Sequence, residues 1–416
     1  MNSIRTVTIA GAAAFAVAAL VLGGYAGKSR REAARRRAVP DSVVLADSAY
    51  QKCHGGSYDA QMECYDAFLV PLVTSHGVRT AMGTLNTLGT KDAQIRADGH
   101  VYAHAIGIAA GRSGKDVGGT FASCTEIFQS GCYHGVIQSY FEGVHAVDTA
   151  AVNAMCASYT SPQSDQWLRF QCVHGMGHGL EMFYTHNLPH ALDGCDLLRE
   201  AWDRESCYGG AFMENIVHAT TPEHSAHALH SHAEAHDHGP PFKALDSTDM
   251  QYPCSIMAQR YLVACYNMQT SVMLHFSRGN IQSAARNCLN APATLRPVCF
   301  QSLGRDISAY SRQDHVEAIR MCAFAKPEYQ PWCHVGVVKN FIDLTAKVED
   351  GASYCRAVPG EANRLKCYEA VGEQIGTLRN SGADREAACM TIDEAYREAC
   401  RFGARVSTTP PRARPS

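Results

Sequence analysis

The apolar and polar positions of residues 314–344, DHVEAIRMCAFAKPEYQPWCHVGVVKNFIDL, divide into two runs with a short polar turn between them. The first run, HVEAIRMCA, predicts a helix that ends in a cysteine. The turn, FAKPEYQP, carries two prolines, which interrupt helices. The second run, WCHVGVVKNFIDL, predicts a second helix with a cysteine near its start. This stretch therefore predicts a helical hairpin with one cysteine on each side of the turn.

The same layout recurs along most of the chain. Its 18 cysteines fall into nine consecutive pairs, and the first members of the last five pairs follow one another at steps of 33 or 34 residues. A period near 34 is typical of helical hairpins stacked into a solenoid. About ten units fit between residues 45 and 405 if the one unit without cysteines is aligned on Tyr102. We therefore predict an all-α solenoid of helical hairpins.

A disulfide within each unit is the economical interpretation of the cysteine pairs, because each hairpin then closes itself. Sequence alone does not fix connectivity. The alternative is that the pairs are reduced and act as small buried residues. The predicted pairs are Cys53–Cys64, Cys124–Cys132, Cys156–Cys172, Cys195–Cys207, Cys254–Cys265, Cys288–Cys299, Cys322–Cys333, Cys355–Cys367 and Cys389–Cys400.

In period and cysteine placement, residues 45–405 resemble the tetratricopeptide-type superfamily, and in particular its secreted, cysteine-rich branch with one disulfide per hairpin. The resemblance implies an architecture and not an activity. Persistent disulfides are rare in the cytosol, so oxidised pairs would place the protein on the periplasmic or extracellular face of a membrane.

The first forty residues form a separate segment. The uncharged run 6–27 is long enough to span a bilayer, so residues 1–40 predict a membrane anchor or a signal peptide. The basic cluster that follows, within residues 28–37, favours the cytoplasm by the positive-inside rule, whereas the cysteines favour export. We expect export, because large translocated domains can override flanking charge. The body would be tethered to the cytoplasmic membrane, or secreted if the segment is cleaved.

Position c denotes the second cysteine of a unit. If c is buried against the partner helix, positions c+2 and c+6 lie on the opposite face of the second helix. In late units these positions, including Gln301, Arg305 and Lys339, suggest a solvated face. Glycines at c+3 predict close approach of a neighbouring helix; they are Gly135, Gly175, Gly210 and Gly336. In early units the face opposite c carries histidines, namely His100, His104, His134, His174 and His178.

Three successive second helices thus place imidazoles in phase, which predicts a metal site. Neutral imidazoles suit zinc, copper or iron, so the predicted cofactor is a transition metal. Glu181 and Glu214 flank the histidine face and are candidate general bases. The chain has no nucleophile elbow, phosphate loop or dinucleotide fingerprint, so any catalysis depends on this site. The alternative is a scaffold whose concave face binds a protein or peptide and whose histidines are structural.

An insertion, residues 218–242, separates N-terminal repeats (45–217) from C-terminal repeats (243–405). Histidine-rich tracts bind transition metals loosely, so metal capture or storage by this loop is a third hypothesis, with a polar spacer as its alternative. Residues 406–416 predict a disordered tail. The net charge of −3 gives no indication of a nucleic-acid partner. The insertion carries seven histidines: His218, His224, His227, His230, His232, His236 and His238.

Overall fold

A computed structural model describes the protein between residues 42 and 411. Within the described residues there are twenty-one α-helices and no β-strand. None of these helices is both long and apolar enough to cross a membrane. The predicted anchor, most of the insertion and the last five residues of the tail lie outside the described residues and remain predictions. The gaps within the described range are residues 115–116, 122, 126, 129, 143, 145, 160–165 and 221–241.

The helices are numbered in chain order. They are α1 (Ser42–Cys53), α2 (Tyr58–His76), α3 (Val78–Lys91), α4 (Ala93–Ala97), α5 (Gly99–Ser113), α6 (Val117–Phe121), α7 (Gly131–Phe141), α8 (Thr149–Met155), α9 (Gln166–Phe183), α10 (Leu188–Asp196), α11 (Ala201–Thr220), α12 (Leu262–Tyr266), α13 (Gln269–Phe276), α14 (Ile281–Cys288), α15 (Arg296–Tyr310), α16 (His315–Cys322), α17 (Gln330–Thr345), α18 (Val348–Ala357), α19 (Glu361–Leu378), α20 (Gly382–Met390) and α21 (Arg397–Gly403).

The predicted hairpin design is clear in the unit formed by α16 and α17. Asp314 caps α16 by accepting a hydrogen bond of 2.8 Å from the backbone N–H of Glu317. The helix ends at Cys322, and a short 3₁₀ turn leads into α17, where Cys333 lies one turn from the start. A disulfide joins these two cysteines across the turn. The sequence pattern therefore translates directly into two antiparallel helices closed by one covalent staple.

All nine predicted disulfides are present, and the described chain has no free cysteine. Every cysteine except Cys64 is buried. The staples therefore lie inside the apolar core, between the two helices of each unit. One unit departs from the pattern: after the insertion the chain is irregular up to Cys254, and the second helix is divided into α12 and α13.

The second helices of neighbouring units pack in pairs whose backbones touch at glycines, and we call these locked pairs. In the α5–α7 pair, a Cβ on Gly107 would lie 2.1 Å from the carbonyl oxygen of Cys132, and a Cβ on Gly135 would lie 2.1 Å from that of His104. No real Cβ fits at such distances, so the two backbones touch. Contact at c+3 is confirmed, but the reciprocal glycine at c+5 was not predicted. The other locked pairs are Gly177/Gly210 in α9–α11, Gly304/Gly336 in α15–α17 and Gly372/Gly403 in α19–α21.

The interface between α7 and α9 lies between two locked pairs and is packed differently. Gly175, the c+3 glycine of α9, faces the side chain of Ile137, whose Cγ1 would lie 3.1 Å from an added Cβ. Side chains rather than bare backbone therefore separate these two helices. The three imidazoles of His134, His174 and His178 lie on these two helices.

The array curls far enough for early and late units to meet. The backbone N–H of Phe128 donates to the carbonyl oxygen of Leu344 at 3.4 Å. The N–H of Gln166 donates to Oδ1 of Asn380 at 3.2 Å, across 214 residues of sequence. A cleft of about 570 Å³ lies between the two halves. Three late-unit residues that were expected on a solvated face are half-buried and line this cleft: Gln301, Arg305 and Lys339.

Candidate metal centre

The five histidines predicted from the repeat register lie on α5, α7 and α9 and form one cluster. His134 is at its centre, with ring centroids 5.5 Å from His100, 5.1 Å from His174 and 4.8 Å from His178. His104 completes the cluster, 6.3 Å from His178. The shared position of these residues in successive repeats therefore becomes spatial contact.

Within the described residues, His134, His174 and His178 are the group best placed to hold a metal ion. One ring nitrogen from each lies within 4.8 Å of the others. Nitrogens bound to one zinc at about 2.0–2.1 Å are at most about 4.2 Å apart, so an ion would draw the three rings slightly together. His134 and His178 are each 3% exposed, and His174 opens onto the cleft. The triad is thus reachable from the cleft.

Hydrogen bonds on the outer ring nitrogens orient the imidazoles. Nδ1 of His174 donates to the carbonyl oxygen of Ser206 at 3.2 Å, and Nδ1 of His178 donates to Oε2 of Glu214 at 2.8 Å. Nε2 of His134 donates to Oε1 of Gln171 at 3.2 Å. Carbonyl and carboxylate partners accept only, so the proton sits on the bonded nitrogen and the lone pair is left on the other. Such partners behind a ring are typical of metal-ligating histidines.

Burial keeps two members of the triad, His134 and His174, neutral. Burial, followed by the charges of His178 and His174, lowers the pKa of His134 well below its usual range. Burial, followed by the charge of His178, lowers the pKa of His174 to about 3, although its bond to the Ser206 carbonyl opposes the shift. Metal ligation requires the neutral ring. His134 and His174 are therefore in the ligating form across the neutral range.

Several buried polar atoms near the triad have no hydrogen-bond partner among the described residues. They include Nδ1 of His134, Nε2 of His178, Oε1 of Gln138 and both carboxylate oxygens of Glu181. Both amide atoms of Asn215, a residue that sequence reasoning did not select, are also unpaired. Buried polar groups are almost always paired, so a concentration of unpaired ones indicates a site for an ion and its water.

The two candidate catalytic glutamates differ in environment. Glu181 is fully buried one turn beyond His178, and burial, followed by the charge of Glu214, raises its carboxyl pKa well above its usual range. Burial therefore favours the protonated form of Glu181, which makes it a poor base in the metal-free protein. Glu214 is partly buried and accepts from His178, which places it behind a ligand of the triad.

A second histidine pair lies next to these glutamates. His218, assigned to the insertion, is on the last turn of α11, and its ring stacks on His186 with centroids 3.5 Å apart. The sequence signal for His186 is weak, because it follows α9 and lies outside the repeat register. The remaining six histidines of the insertion lie outside the described residues, so the structure does not relate them to the triad.

The fold and the triad define a class, namely an all-helical repeat protein stapled by disulfides, with buried histidines that can hold a metal ion. The chain matches no protein-family model, no curated protein and no solved structure. Its function is therefore argued from the site itself.

Proposed function

We propose that the protein is an exported repeat protein of tetratricopeptide-like architecture that binds one transition-metal ion through His134, His174 and His178. The observation that carries the proposal is the triad, whose ring nitrogens converge within 4.8 Å. Two of the rings have a buried nitrogen without a partner among the described residues. An ion would satisfy both atoms at once. His100 and His104 would lie next to this ligand set, with ring centroids 5.5 Å from that of His134 and 6.3 Å from that of His178, respectively.

The ligand atoms restrict which metal ions the site can bind. All cysteines are oxidised, so no thiolate competes, and neutral imidazole favours zinc, copper or iron over calcium or magnesium. Three protein ligands with an open side are typical of catalytic zinc sites, whereas structural sites are closed by four. Here the open side faces the cleft through His174. The arrangement therefore supports a metal-dependent enzyme more than a purely structural metal site.

In such an enzyme the chain's own residues would have distinct tasks. Glu214 would orient His178 and increase its basicity as a ligand. Glu181 would hold a proton beside the centre, and the walls of the cleft would hold the substrate. A metal bound to the triad would supply Lewis acidity or an activated water.

Location follows from the disulfides and the N-terminal run. Nine disulfides favour an oxidising compartment, on the periplasmic or extracellular face. Attachment to the membrane through residues 1–40 remains part of the proposal.

Two alternatives from the sequence keep specific support. The curled array with its cleft would suit a scaffold that binds a protein or peptide with structural histidines. The histidines of the insertion would suit metal capture. These two functions and metal binding by the triad predict different metal contents for the same variants.

The experiment is metal analysis by mass spectrometry of full-length protein purified under oxidising conditions. We expect stoichiometric metal in the native chain, in a chain lacking residues 221–241 and in the control His275→Ala, an exposed histidine outside the cluster. The double substitution His134→Ala/His178→Ala should abolish binding while circular dichroism stays helical. Metal lost with the deletion alone would indicate capture. Absence of metal from every sample would leave only the scaffold.

A further inference from the structure

The cleft has features that the metal triad does not require. It lies between α9 and α11 on one side and α15, α17 and α19 on the other, and His134 and His174 form part of its lining. Its volume of about 570 Å³ falls within the range of about 300–1,000 Å³ that small organic ligands occupy. One wall is aromatic and the opposite wall is polar.

The aromatic wall is a ladder of rings on one face of α9. Trp167, Phe170 and His174 follow one another at helical spacing, with successive ring centroids 6.1 and 5.4 Å apart and planes tilted by only 30° and 25°. Trp202, at the start of α11, lies 6.2 Å from Phe170 and is 39% exposed. A row of half-exposed aromatic rings beside a cleft marks a surface that a ligand covers.

The opposite wall is polar but offers no uncompensated positive charge. The guanidinium of Arg305 pairs with Asp306 at 2.6 Å, and the ammonium of Lys339 pairs with Glu373 at 2.5 Å. Arg260, at the edge of the cleft, pairs with a carboxylate at 2.8 Å. An anionic ligand would have to compete with these carboxylates. The wall therefore offers an anionic ligand no free cation to bind.

Two carboxamides on this wall are available to a ligand. The side chains of Asn267 and Gln301 line the cleft and make no hydrogen bond with any other described residue. Both residues occupy the c+2 position, the same position that carries His134 and His174 in earlier units. A carboxamide offers two donors and an acceptor, a combination that pairs with neighbouring hydroxyl groups.

We propose that the cleft binds a neutral, short gluco-configured oligosaccharide. In such a sugar the hydroxyls are equatorial, so each ring has a flat C–H face and a hydroxyl edge. The C–H face would stack on Trp167, Phe170 and Trp202, while the hydroxyl edge would bond to Asn267 and Gln301. The site lies beside the triad but needs no metal for binding.

The test uses tryptophan emission of metal-free, full-length protein titrated with cellotriose and, separately, chitotriose. Two of the chain's three tryptophans line the cleft. The third, Trp332, lies elsewhere, with the ammonium of Lys366 4.6 Å above its ring. We expect a saturable change in emission that persists in Trp332→Phe. Phe170→Ala and Gln301→Ala should each weaken binding at least tenfold.

Gln301→Ala removes no internal hydrogen bond and should fold normally. It therefore tests ligand binding even if an aromatic variant fails to fold. No emission change with either trisaccharide at millimolar concentration would overturn the proposal. So would an undiminished change in the double variant Trp167→Phe/Trp202→Phe, because the signal would then come from Trp332. Tighter binding of trigalacturonic acid than of cellotriose would contradict the neutral ligand. Because EDTA-treated protein is used, failure here leaves the metal triad untouched.

Discussion

His178 and Glu214 join two neighbouring second helices through a hydrogen bond of 2.8 Å, from imidazole Nδ1 to carboxylate Oε2. The proton on Nδ1 leaves the lone pair on Nε2, which is buried and has no partner among the described residues. The bond thereby fixes both the tautomer and the orientation of one triad member. A carboxylate in this position also makes the imidazole a stronger ligand.

Removal of this carboxylate should weaken metal binding without abolishing it. For Glu214→Ala we expect a loss of about 10- to 100-fold in metal affinity, the usual effect of removing a partner behind a metal-ligating histidine. Affinity is measured by competition with a chelator. The matched control is Glu205→Ala, an exposed glutamate on the same helix, which should bind metal normally. Equal affinity in both variants would show that Glu214 does not support the site.

Acid should destabilise the metal-free protein through His174. The folded-state pKa of His174 is lowered to about 3, while the unfolded chain takes up its proton near the ordinary value of about 6.5. The unfolded state therefore binds more protons between these two values, so the free energy of unfolding falls as the pH decreases through that window. Below about pH 3 the ring of His174 is protonated in both the folded and the unfolded state, so it lowers the free energy of unfolding no further.

This pH dependence is measured by thermal melting of metal-free protein between pH 7 and pH 4. His174→Gln should show a smaller decrease in melting temperature than the native chain over that range. His275→Ala, at an exposed position, should show the native decrease. Identical profiles for all three proteins would mean that His174 is not held neutral by burial.

Most of the fold was predictable because the repeats encode it locally. Every unit but the one aligned on Tyr102 carries its own cysteine pair, so period and spacing predict the hairpins and make pairing within each unit the economical interpretation. Placing His104, His134 and His174 at one repeat position was enough to bring them together, since stacked units reproduce a register in space. The contact between Gln166 and Asn380 could not be predicted, because curvature accumulates from small rotations between units that no single unit encodes.

Two features of the site were missed for related reasons. Asn215 and His186 lie outside the c+2 and c+6 register, so the repeat gives no reason to select them. The glycines at c+5, such as Gly177, were visible in the sequence of four units. Their packing role depends on which carbonyl oxygen of the neighbouring helix they contact. That contact is known only from the packed structure.

The effect of removing a disulfide on metal content should depend on where in the array that disulfide lies. Removing a disulfide that closes a loop of this length costs about 3 kcal/mol of unfolding free energy. Loss of the terminal staple, Cys389→Ala/Cys400→Ala, should loosen α20 and α21, which carry no residue of the triad, and leave metal binding intact. Loss of the central staple, Cys195→Ala/Cys207→Ala, should reduce metal content, because α11 carries Glu214. Denaturant melts and metal analysis of both variants test this. Equal metal content in the two would contradict a local effect.

The glycine locks should be intolerant of even one methyl group. A Cβ on Gly177 would lie 2.1 Å from the carbonyl oxygen of Cys207, and the backbone of α11 cannot move away without separating His178 from Glu214. We expect Gly177→Ala to cost about 1–3 kcal/mol of stability, as overpacked cores do, and to weaken metal binding as well.

Gly175→Ala is the matched control on the same helix, two residues away. Its added Cβ would meet the side chain of Ile137 at 3.1 Å, and a side chain can shift where a backbone carbonyl cannot. Alanine also favours the helix over glycine by up to about 1 kcal/mol, which offsets the contact. We therefore expect near-native melting and metal affinity for this variant. If Gly177→Ala proved as stable as Gly175→Ala, the backbone contact between α9 and α11 would not be what holds the triad and Glu214 in register.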